Sequence, residues 1–165
     1  MKYIEKSKEP RSLTQVKTLR YPKLKLSFDN LPPNVLADLI HNLLMDQGFI
    51  CCYTMDEITP ETAVLVHFNP QKYFPDQELD YNNLYLALRQ PDELPPAYRA
   101  GYTSKEDAVI PNYLADLRCS TYFRYNTLGE IIPNGTFRTI KNAGIIFVNL
   151  PPNSKPSWPP LKCLI

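Results

Sequence analysis

Seventeen prolines against five glycines constrain the fold of this chain more than any other feature. Proline fixes φ and lacks an N–H, so it interrupts helices and is kept out of central strands. A chain punctuated this often folds into short elements joined by rigid turns, not into long helices or broad regular sheets. The clearest helix follows Pro32-Pro33. Asn34 can cap it, Leu36, Leu39, Ile40, Leu43 and Leu44 line one face, and Gly48 ends it after about Gln47. That stripe is core. His41 sits beside it as a partly exposed helix residue.

The remaining elements are short. Phe49-Ile50-Cys51-Cys52-Tyr53 reads as one strand and Thr62 to Phe68 as a second, broken by Asn69-Pro70. A proline-flanked loop leads to Asp80-Tyr81-Asn82-Asn83 and the apolar run Leu84–Leu88. Residues 89–112 hold four prolines and read as loop with one helical turn. Tyr122–Tyr125 and Glu130–Pro133 form two strands around the turn Asn126-Thr127-Leu128-Gly129, and 143–150 is a last apolar segment. The expected class is α+β, with 165 residues allowing one small domain. The division is a basic N-terminal arm (1–30), the domain proper (31–150) and a proline-rich tail (151–165).

Charge is uneven along the chain. Residues 1–25 carry eight Lys and Arg against Glu5 and Glu9, although the whole chain is only +1. Such an arm suits phosphate neutralisation, and it suits a solvated flank equally well. No apolar run reaches the roughly 18 residues of a membrane span, and Met1–Lys6 leads into no signal-type apolar core. The expectation is a cytoplasmic protein with no membrane partner, in which Asn134-Gly135-Thr136 is a turn and not a glycosylation site.

The four cysteines, 51, 52, 119 and 163, include no Cys-x-x-Cys pair. A structural zinc site usually draws on two close pairs, so buried thiols are expected, without a metal. In an extended segment Cys51 and Cys52 would point to opposite sides.

Chemistry is suggested by Val64-Leu65-Val66-His67-Phe68-Asn69-Pro70 followed by Leu79-Asp80-Tyr81-Asn82-Asn83-Leu84. A histidine at a strand end can take a proton from water, because its pKa lies near neutrality. An asparagine nearby can fix the ring or a loop. His67, Asn83 and Asn82 are therefore the candidate catalytic residues. The bland alternative is a hydrogen-bonded histidine and an Asn-Asn turn.

The order of these segments resembles the bacterial HNH endonuclease-like family that includes the nuclease subunit of Septu and retron anti-phage systems. The resemblance rests on Met1–Ser7, Cys51-Cys52-Tyr53, His67-Phe68-Asn69-Pro70-Gln71, Leu79–Leu84, Ile110–Tyr113, Tyr122–Asn126 and Gly129–Pro133. It implies a ββα-metal core flanked by zinc knuckles, with His67 as catalytic histidine and Asn83, or less fittingly Asn82, as the middle asparagine. Cys51 would open a Cys-x-x-Cys knuckle. Thr54 stands where its second cysteine belongs, Val66 where an acid usually precedes the histidine, and Gly101–Glu106 where a second knuckle should lie. The proline-rich tail replaces the family's closing helix.

The expectation that follows is a degenerate HNH-like protein that binds DNA or a partner with weak or no cleavage, in anti-phage defence. The family resemblance implies an ABC-type ATPase subunit as partner. No cofactor is expected. Two other readings stand beside it. One is an active nuclease using Mg²⁺ or Mn²⁺ at a site assembled from Glu57, Glu61, Asp80 or a partner's residues. The other is a divergent remnant without active-site function.

Overall fold

In the computed structural model of the chain the described residues are 2–18, 26–91, 95, 99, 101–125, 127 and 131–133. Their architecture is α+β. The final apolar segment and the tail, with Cys163, lie outside the described residues.

Residues 1–30 are not simply an extended arm. Helix α1 (Arg11–Thr18) turns Leu13 and Val16 inward against α2 (Pro33–Gln47). Ile4 is buried in the same core and donates its N–H to the Leu114 carbonyl at 2.8 Å. Two apolar residues three apart, set among charges, are too faint a period to announce a helix, yet they suffice once a neighbour covers them.

In α2 the cap differs from expectation. Asn34 lies inside the first turn, Pro33 begins the helix, and Pro32 flanks it without a side-chain cap. Proline suits this place because the first N–H groups have no partner within the helix. Gly48 ends the helix in the left-handed region, φ 63° and ψ 39°. Val35, Leu39, Leu43, Leu44 and Gln47 are buried, while Leu36 and Ile40 lie at the margin.

The buried face of α2 packs against β2 (Leu84–Leu88), which pairs antiparallel with β1 (Ala63–His67). The register runs from Ala63 opposite Leu88 to His67 opposite Leu84. Residues 49–53 do not form the expected strand. A single bridge joins Ile50 to Glu57, and between them the chain curls, with the Met55 N–H on the Cys51 carbonyl at 3.2 Å. Phe49 (φ 59°) and Met55 (φ 67°) bracket the curl in the left-handed region, where bulky side chains are strained.

That curl finishes the sheet. On the outer edge of β2 the Lys6 amine donates to the Leu84 carbonyl. Gln47 accepts from the Leu86 N–H at 2.7 Å and donates to its carbonyl at 2.9 Å. The Cys52 N–H donates to the same carbonyl at 3.1 Å, and the Leu88 N–H donates to Cys51 Sγ at 3.2 Å. Side chains and one turn therefore occupy the place of a third strand. An edge so blocked cannot template pairing with another chain.

Further on, α3 (Tyr102–Lys105) is the single helical turn expected within 89–112. Gly101 enters it at φ 59°, and a Cβ there would lie 3.0 Å from Tyr53 Cβ. The start of α3 is thus packed directly onto the Cys51–Asp56 curl. Strands β3 (Phe123–Tyr125) and β4 (Ile131–Pro133) pair antiparallel where the sequence placed them. Among the described residues no helix is long and apolar enough to cross a membrane.

Candidate functional site

His67 is the last residue of β1, and Asn83 ends a short helical turn immediately before β2. Asp80 holds that turn by accepting from the Asn82 N–H at 3.0 Å. The segment 68–83 leaves and returns to the same end of the hairpin, and the Phe68 N–H closes it on the Asn83 carbonyl at 2.9 Å.

The two asparagines separate cleanly. Asn82 is exposed, whereas Asn83 is buried. Asn83 Oδ1 accepts from the Asn69 N–H at 2.7 Å, and Nδ2 donates to the carbonyls of Asn69 at 3.1 Å and Gln77 at 3.2 Å. One amide side chain thus ties both limbs of the loop together. Asn69 adds a bond from its own Nδ2 to Gln77 Oε1 at 2.8 Å.

His67 meets the next carbonyl along. Its Nε2 lies 2.9 Å from the Glu78 oxygen. A carbonyl can only accept, so Nε2 carries the hydrogen and the lone pair of the neutral ring sits on Nδ1. The Phe28 ring stands edge-on to the imidazole, with centroids 5.7 Å apart and planes at 88°. Phe28 is itself held by its N–H on Glu78 Oε1 at 2.8 Å. His67 and Asn83 are thereby oriented by adjacent carbonyls of one turn. Sequence reasoning missed Gln77, Glu78 and Phe28, because their roles depend on how the loop folds back.

Burial lowers the His67 pKa below the ordinary histidine value, against the Glu78 hydrogen bond and the charges of Glu78 and Asp29. The folded ring resists a proton that the unfolded chain accepts near pH 6.5. The contribution of His67 to stability is full above that pH and is lost as pH falls from about 6.5 towards the lower folded value. Urea midpoints between pH 7.5 and 5.5 should therefore drop more steeply for the native chain than for His67→Phe. Equal slopes would show that His67 titrates as it does in the unfolded chain.

Val66, at the position where the resemblance calls for an acid, is buried opposite Tyr85. Among the described residues no three His, Cys, Asp or Glu side chains converge as a metal-ligand group. Glu57 is tied into the bridge with Ile50, Glu61 accepts from the Thr59 hydroxyl at 2.6 Å, and Asp80 caps the Tyr81–Asn83 turn.

Of the basic residues near the N-terminus, Lys2, Lys8 and Arg11 are exposed and Lys17 pairs with Glu9. Lys6 instead turns inward, its amine 4.2 Å from the Tyr85 ring centre and 4.7 Å from that of Tyr81. Burial brings its pKa down to about 8, with Asp46, Cys52 and Asp80 opposing. Arg20, Lys23 and Lys25 lie outside the described residues.

Cys51 and Cys52 lie in this curl and not in an extended segment, and both are buried. Hydrogen bonding towards the Cys51 sulfur, from Cys52 first and then from Thr54 and the Leu88 N–H, outweighs burial and holds its pKa down at about 5. Cys52 is pushed up, chiefly by burial.

The chain matches no protein-family model, and no curated protein is detectably similar to it.

Proposed function

We propose that this chain is an HNH endonuclease-like protein that binds DNA and has weak or no phosphodiester cleavage. The observation that carries the reading is the clamp of His67 and Asn83 on consecutive carbonyls at one end of an antiparallel hairpin. It leaves Nδ1 of a strand-end histidine with its lone pair, the atom a general base needs. It also makes Asn83 a loop anchor. A second observation supports the resemblance: Gly101, which opens the would-be second knuckle, packs on Tyr53 inside the would-be first one.

The metal half of such a site does not fit. A buried valine precedes the histidine, Thr54 replaces a thiolate, and no ligand trio is present among the described residues. Electrostatic stabilisation of the phosphoryl oxygens is usually the larger share of catalysis, so a histidine alone contributes little. Binding is the function left to the scaffold. Lys2, Lys8 and Arg11 are exposed on the segment that Lys6 anchors at Leu84, the cross-strand partner of His67.

The test joins a duplex-DNA binding titration to a plasmid-nicking assay with Mg²⁺ or Mn²⁺. The native chain and His67→Ala should bind alike, both more weakly as salt rises. A variant with Lys2, Lys8 and Arg11 changed to Gln should lose about two to three units of slope in log K against log salt. Nicking should be negligible throughout. Absence of binding at low salt would remove the DNA reading. Metal-dependent nicking lost in His67→Ala would make the chain an active nuclease.

A further inference from the structure

We propose that Cys51 and Cys52 form a peroxide-oxidisable dithiol, with Cys51 as the attacking sulfur and Cys52 as the resolving one. Three structural features support this. First, the Cys51 sulfur accepts from two backbone donors, the Leu88 N–H at 3.2 Å and the Thr54 N–H at 3.5 Å. Donors aimed at a sulfur favour its thiolate form, which is the nucleophile. Second, the resolving thiol belongs to the next residue in the same buried curl, which is fixed by the Met55 N–H on the Cys51 carbonyl at 3.2 Å and the Cys52 N–H on the Leu86 carbonyl at 3.1 Å. Third, the pair lies under a single strained turn. Phe49 and Met55 flank it at φ 59° and 67°, and both of their side chains are exposed. Left-handed backbone at bulky residues is strained, which favours local opening.

The chemistry balances with hydrogen peroxide as the oxidant. The Cys51 thiolate attacks one peroxide oxygen, an S–O bond forms, the O–O bond breaks, and hydroxide leaves. The Cys52 sulfur then attacks Cys51 sulfur, its proton and the departing hydroxyl leave as water, and an S–S bond forms. The sulfurs give up two electrons and the peroxide gains them. Neighbouring Cα atoms are only about 3.8 Å apart, shorter than an ordinary disulfide span, so this bridge is strained and readily reduced. Oxidation also removes the anionic acceptor from the Leu88 N–H, so the change reaches the edge of β2.

Both cysteines are only 2% exposed, so a small oxidant and a bulky reagent should behave differently. The native protein is treated with hydrogen peroxide or with a polymer-linked maleimide, then denatured, alkylated and mapped by mass spectrometry. Peroxide should remove both alkylation sites of the pair together, and dithiothreitol should restore them. The maleimide should react at least tenfold more slowly than with the unfolded chain. In Cys52→Ser, dimedone should label Cys51 after peroxide, whereas in Cys51→Ser the oxidation of Cys52 should fall at least tenfold. Should Cys51→Ser fail to fold, the native map still decides. Cys119 oxidised as fast as the pair, or Cys51 carrying irreversible oxides with Cys52 still free, would overturn the assignment.

Discussion

Leu43→Ala should lower the unfolding free energy by about 2–5 kcal/mol, the range for truncating a fully buried leucine. Leu43 is 0% exposed at the centre of the α2 face that covers β2. Its neighbours along the helix, Leu39 and Leu44, are as deeply buried, and Gln47 at the helix end commits its amide to both backbone groups of Leu86. The helix therefore cannot slide to close the gap without breaking those bonds, which places the loss in the upper part of the range. Urea or thermal unfolding measures it. A change under about 1 kcal/mol would mean that this face relaxes freely, against the close packing expected of an interior.

Asn83→Ala should cost about 2–4 kcal/mol, because it strands the Asn69 N–H and the Asn69 carbonyl, while the Gln77 carbonyl keeps the Asp80 N–H. An unpaired buried group costs roughly 1–3 kcal/mol, with carbonyls at the lower end. The exposed neighbour supplies the control: Asn82→Ala should stay within about 0.5 kcal/mol of the native chain. Hydrogen exchange at the Asn69 amide should accelerate in Asn83→Ala alone. If the two alanine variants unfold together, Asn83 does not anchor the loop and the orientation of His67 rests on the Glu78 carbonyl alone. The two sites also separate stability from binding. Neither substitution removes a surface cation, so DNA binding by the folded fraction should persist.

Much of the frame was legible in the residues. Pro33 and Gly48 bound the main helix because each acts through its own backbone conformation, which no neighbour has to supply. The apolar β-type run Val64–His67 and the β-type residues of Phe123–Tyr125 and Ile131–Pro133 likewise place strands by local pattern. The resemblance led to the expectation that His67 and Asn83 lie near one another; the structure holds them on the neighbouring Glu78 and Gln77 carbonyls.

What the sequence could not decide were matters of contact between distant segments. Phe49–Tyr53 has strand composition, yet it curls, since Leu86 and Leu88 use its Cys52 N–H and Cys51 sulfur in place of a third strand. Lys6 reads as one charge of a basic arm, yet its amine is drawn inward by the Leu84 carbonyl and two tyrosine rings. Asn82 and Asn83 are indistinguishable by type, and only the loop that folds Asn69 and Gln77 onto the Asn83 side chain buries one of them. Local sequence determined where elements begin and end, because caps, turns and periodicity act within a few residues. Tertiary structure alone decided which polar groups are buried and paired, because an unmet donor or acceptor takes its partner from whichever segment the fold brings alongside.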